Sequence, residues 1–194
     1  MLFSRFTLLA AAFLSLAVAS TGQQAPAPHA ATPVDDAFVH QQFGSNCSLI
    51  GLPPVTGDLD GDSVEDVVIP AHCSSPMQDQ AENSYLVIDP LFAFYGYGNP
   101  AITTQYSTED PQRRGYSLLI IHGAGPDAWR SAKPKAKFLV VNLPFDQVIV
   151  KKLAIKKKTQ MAIYVEETGG DALMSVLFWD GKKYRYQPMG SSLQ

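Results

Sequence analysis

Hydrophobic and polar positions change their period once along this chain. Val34, Phe38 and Val39 recur at helical spacing over residues 34–43, with Asp35 and Asp36 in the first turn. Thr32 and Pro33 in front fit an N-cap followed by proline at the first helical position. Gly44 stands where a C-terminal glycine stop belongs. Beyond Gly44 the period shortens. Residues 64–70, 84–89, 117–122, 138–143, 147–154, 160–166, 173–179 and 183–187 are short runs rich in Val, Ile, Tyr and Phe, separated by Gly, Pro, Asn and Asp. No later segment holds a helical period over ten residues. The pattern predicts a mainly β domain, α+β at the margin: an antiparallel sheet, small sandwich or open barrel with one short N-terminal helix.

Turn chemistry supports the same layout. Asp180 and Gly181 predict a two-residue primed turn, and residues 167–171 a second hairpin connection. Residues 91–115 interleave Phe92, Phe94, Tyr95, Tyr97 and Tyr106 with Gly and Pro, which reads as a long loop packed under its own aromatic side chains, with an aromatic binding platform as the alternative.

The chain opens with Arg5, an apolar core over 8–18, and the small-x-small run Ala17, Val18, Ala19, the pattern of a secretory signal over 1–19 cleaved after Ala19. The apolar run is shorter than the roughly 20 residues of a comfortable membrane span, so an exported mature protein without a transmembrane span is expected. Residues 20–33, rich in Ala, Pro, Gln and Thr, read as a flexible linker. A single domain over 34–188 and a loose tail over 189–194 follow. Export also decides how Cys47 and Cys73 are read. They are the only cysteines, they lack C-x-x-C spacing, and in an oxidising compartment they form a disulfide.

Chemistry concentrates between those cysteines. Asp58, Asp60, Asp62 and Asp66 occupy relative positions 1, 3, 5 and 9 of one short loop that opens into an apolar run. Carboxylates crowded in this way repel one another unless a cation sits among them. Val64, at position 7, can add its carbonyl oxygen, and such an oxygen-rich, flexible cage suits calcium (Ca2+). The segment resembles the calcium-binding loop of FG-GAP repeats, found in integrin α-chain propellers and in bacterial VCBS-type repeats. It departs from that pattern at Ser63, where the family usually has Gly. The resemblance covers about a dozen residues. It implies Asp58, Asp60, Asp62 and Asp66 as side-chain ligands and Val64 as a backbone ligand. One acidic loop and one domain-sized chain do not make a propeller. An EF-hand would need Gly and a bidentate acid where this chain has Ser63 and Ile69.

The net charge of −3 hides a split. Residues 20–110 hold twelve acids and no Lys or Arg, whereas 111–194 hold six acids and fourteen bases. Either the two halves face and neutralise each other, or Lys151, Lys152, Lys156, Lys157 and Lys158 form a basic face for an anionic glycan or another cell-surface component. Nucleic acid is a poor partner for an exported acidic protein. No enzyme motif is complete. The run from Ile120 to Pro126 resembles the His-Gly segment of α/β-hydrolases, but no Gly-x-Ser-x-Gly elbow occurs. His40, His72 and His122 lack zinc-site spacing. The expected function is an exported calcium-binding module with a binding or structural role. The alternative is a secreted hydrolase with a site near His122.

Overall fold

The computed structural model describes residues 33–89, 111–143, 145–155, 158–167 and 173–189. Outside the described residues lie the signal-like segment, all of the linker but Pro33, the aromatic stretch over 91–110, the hairpin turn over 168–171, Lys156, Lys157 and the tail beyond Met189. The described residues belong to one compact unit, Thr32–Gln194.

The fold is mainly β. Helix α1 spans Asp36–Phe43. The strands β1 (Cys47–Leu49), β2 (Val55–Gly57) and β3 (Asp66–Cys73) follow. A single helical turn, α2 (Gln80–Asn83), leads to β4 (Leu86–Ile88). Beyond it come β5 (Tyr116–His122) and β6 (Ala136–Val140), joined by a 3-10 segment over Gly125–Arg130. The last strands are β7 (Gln147–Ile155), β8 (Lys158–Glu167), β9 (Leu173–Trp179) and β10 (Tyr184–Pro188). One sheet has six strands, ordered β1-β3-β5-β6-β4 with β2 also on β3, antiparallel except for the parallel β4–β6 pair. The other is a four-stranded antiparallel meander, β10-β9-β8-β7.

Alternation along the strands builds three layers. Val67, Ile69, Leu119, Ile121 and Leu139 face α1 and bury Phe38, Val39 and Phe43. Val68, Leu118, Ile120, Phe138 and Val140 face the meander and meet Ile163, Val165, Leu177, Tyr184 and Tyr186. Covered on both sides, β5 is fully buried from Leu118 to Ile121. That explains its unbroken apolar run, which lacks the polar alternation of a half-exposed strand. Pro70 is tolerated inside β3 because it falls in a gap between two partner strands. β2 pairs with Asp66–Val68 and β1 only from Ala71 onward.

Local detail corrects two expectations. The helix N-cap is Asp35, not Thr32: its Oδ1 accepts the Phe38 N–H at 2.8 Å, so α1 begins at Asp36. Gly44 ends it at φ +90° as expected. The β9–β10 turn is shifted by one residue. The Asp180 N–H donates to the Lys183 carbonyl, placing Gly181 and Lys182 in the centre, and of these only Gly181 has a positive φ. The Asp180 Oδ1 accepts the N–H groups of Lys182 and Lys183, which fixes that register.

The disulfide joins Cys47 and Cys73, directly opposed on β1 and β3 with Cα atoms 4.1 Å apart. On the chain-entropy account, closing a 26-residue separation removes about 3.5 kcal/mol of unfolded-state freedom. The bridge ties the three-residue β1 to the central sheet. The acidic loop is the β2–β3 connection inside that covalent ring.

Candidate metal centre

Short side chains fold the loop over 58–66. Asp58 Oδ1 accepts the N–H groups of Gly61 at 2.8 Å and Asp62 at 3.1 Å, and its Oδ2 accepts that of Ser63 at 2.9 Å. Asp62 Oδ1 accepts the Val64 N–H at 2.9 Å. The chain turns through left-handed backbone at Gly61 (φ +80°) and Ser63 (φ +70°). At Ser63 the departure from glycine carries a conformational penalty of about 1 kcal/mol.

Asp66 closes the loop from beneath. It is fully buried; its Oδ2 accepts the Leu59 N–H at 2.7 Å and its Oδ1 accepts the Gly123 N–H at 2.8 Å. Burial raises its carboxyl to about 6, the charges of Asp60 and Asp62 push the same way, and the two N–H donors oppose the rise. A Cβ at position 123 would stand 2.4 Å from the Glu65 carbonyl oxygen, so glycine is what lets the end of β5 come this close. The glycine of the His-Gly run thus serves the acidic loop.

The fold brings Asp58, Asp60 and Asp66 together: one carboxylate oxygen from each lies within 4.8 Å of the others. Asp62 lies outside that trio. Its Oδ2 accepts from Lys135 Nζ at 2.7 Å, and the same ammonium donates to Asp60 Oδ2 at 2.6 Å. Lys135 therefore bridges Asp60 and Asp62 as an internal counter-ion. Its hydrogen bond holds Asp62 below the usual carboxylate range, and the two carboxylates push the lysine upward. Compensation absent from the neighbouring sequence comes from the basic half of the chain. Val64 contributes its N–H to Asp62, and its side chain packs towards Gly123.

Two further groups back the loop. The Asp60 side chain is only 3% exposed, and His122 Nδ1 lies 3.4 Å from its Oδ2. His122 Nε2 meets the Tyr184 hydroxyl at 2.7 Å. His122 is itself 1% exposed, and burial holds its pKa below the ordinary value. Both ring nitrogens are engaged inside the sandwich, so the histidine presents no open face to a substrate. At the loop's other end, Trp129 Nε1 donates to Glu65 Oε2 at 2.9 Å, and Arg130 stacks 3.8 Å above that indole.

Of the lysines of the basic run, Lys156 and Lys157 lie outside the described residues. Lys151 and Lys152 are consecutive on β7 and project to opposite faces. Lys151 lies 4.1 Å from the Tyr164 ring centroid on the outer face of the meander, and Lys158 lines a cleft at the sheet's end. Among the described residues, no helix is long and apolar enough to cross a membrane. No family model matches the chain, and no curated protein or solved structure matches it either.

Proposed function

We propose that this chain is an exported β module whose 58–66 loop holds a structural Ca2+ ion. The observation that carries this reading is the convergence of carboxylate oxygens from Asp58, Asp60 and Asp66 at the start of a buried strand. All the donors are hard oxygens, the ligand class that calcium favours. The loop's mixture of Asx turns suits a flexible, high-coordination ion better than the strict octahedron of magnesium. Asp62 and the Val64 carbonyl join the set once Lys135 withdraws. The signal-like segment and the Cys47–Cys73 bridge support export.

A second reading has its own observation. Lys135 already neutralises Asp60 and Asp62, so the loop can also be an acidic turn compensated from within. Melting the mature protein in millimolar calcium and in chelator separates the two. An ion that binds only the folded state stabilises it by about 2.7 kcal/mol at 100 times the dissociation constant, and by less at lower multiples of it. Calcium should raise the melting temperature of the wild type, magnesium should raise it less, and Asp60→Ala should erase the calcium-dependent part. A wild type that melts at the same temperature in calcium and in chelator leaves the self-compensated turn.

A further inference from the structure

A cleft of about 610 Å³ opens at the end of the meander, where the end of β7, the start of β8 and the β9–β10 turn line it. Ile155, Phe178 and Trp179 form its apolar walls, with Lys158, Gln160 and Asp180 among its polar groups. The Trp179 ring is braced, with its centroid 5.1 Å from that of His122 and 5.3 Å from those of Phe138 and Tyr184. It is only partly buried, and its indole N–H has no partner among the described residues. Gln160 Nε2 donates to the Trp179 carbonyl at 2.9 Å, which anchors the amide and leaves its Oε1 to accept from a ligand. The acids at the cleft are already satisfied, Asp180 by Arg185 and Asp60 by Lys135. Lys158 is exposed and has no ion-pair partner among the described residues.

We propose that this cleft binds an acidic sugar residue, a uronate within a glycan. A pyranose has an apolar C–H face to lay on the braced indole and hydroxyls at its rim. Those hydroxyls accept from the Trp179 N–H and donate to Gln160 Oε1, while the carboxylate meets the Lys158 ammonium. A plain acyl chain would cover the walls but leave the indole N–H and the amide oxygen desolvated and unpaired. A neutral sugar would leave Lys158 unused. The volume lies within the range of small-ligand sites. Nothing here requires an ion in the 58–66 loop.

The test is tryptophan fluorescence of the folded protein, titrated in chelator with trigalacturonate, galactotriose and laurate. Trp129 is 3% exposed and bonded to Glu65, so a ligand-dependent change reports Trp179. Trigalacturonate should give a saturable change, with galactotriose binding about tenfold more weakly, the loss expected for one charged hydrogen bond. Lys158→Glu should weaken trigalacturonate binding by about tenfold or more. Lys151→Glu, on the same face but set against Tyr164 and not lining the cleft, should leave it unchanged. A flat trigalacturonate titration, equal affinity for galactotriose, tighter binding of laurate, or an unaltered K158E overturns the proposal. Because every arm is run without calcium, failure here leaves the loop reading standing, and failure of the loop reading leaves this result standing.

Discussion

Lys135→Met is the perturbation that separates the roles of the acidic loop. The ammonium lies 2.6 Å from Asp60 Oδ2 and 2.7 Å from Asp62 Oδ2. An exposed ion pair contributes about 0.2–1 kcal/mol, and breaking a fully buried one costs about 3–5 kcal/mol. Here the lysine side chain is 50% exposed and that of Asp60 3% exposed. The discounted value therefore falls between, at about 1–2 kcal/mol. Methionine keeps most of the stem's packing and removes the charge. In chelator, K135M should thus be about 1–2 kcal/mol less stable than the wild type. In calcium the sign reverses for binding, because an arriving ion no longer has to displace the ammonium from Asp60 and Asp62. Removing a competitor of about 1.4 kcal/mol tightens binding about tenfold. Urea unfolding in chelator gives the first quantity, and calorimetric titration of both proteins gives the second. A variant that is less stable in chelator yet binds calcium no more tightly than the wild type would refute the shared use of Asp60 and Asp62. A variant of unchanged stability in chelator would refute the counter-ion role itself.

Two other outcomes follow from named groups. The Tyr85 hydroxyl donates to the Pro76 carbonyl at 2.8 Å, and burial, aided by the Asp79 charge, pushes its pKa up to about 12. The neutral phenol is the favoured form in the fold, so its contribution is intact below pH 10 and is lost as pH rises through about 12. Tyr85→Phe should destabilise the protein by about 1–2 kcal/mol at neutral pH. It should also flatten the alkaline decline in urea-unfolding stability, and parallel declines in the two proteins would contradict this. Intact-mass analysis of native protein should find a chain beginning at or near Ser20, whereas recovery of Met1 on most molecules would remove the case for export.

Strands with dense β-branched and aromatic runs were legible because local propensity and burial agree there, as in the unbroken core of β5. The three-residue β1 and β2 were not, since neither is long enough to show an alternation. β1 is defined by its cross-strand disulfide and β2 by its pairing with β3. The helix start slipped because Thr32 and Asp35 both offer capping oxygens, and only the geometry at Phe38 distinguishes them. At the site, the four aspartates were visible as a local spacing. Their surroundings were not. Lys135 lies 75 residues from Asp60 in the chain, and the Gly123 N–H reaches Asp66 only because β3 and β5 pair. The split of charge between the two halves was the one sequence signal of such pairing. Of its two readings, the facing halves account for Lys135 with Asp60 and Asp62 and for Arg130 near Glu65.

The central claim is that the loop takes a calcium ion, and locating that ion tests it most directly. Crystals of the mature protein grown in calcium should give one anomalous difference peak at the loop. It should lie about 2.3–2.6 Å from carboxylate oxygens of Asp58, Asp60 and Asp66, with Lys135 Nζ withdrawn from Asp60 and Asp62. A map without a peak there, in which the ammonium still bridges the two carboxylates, would contradict the account.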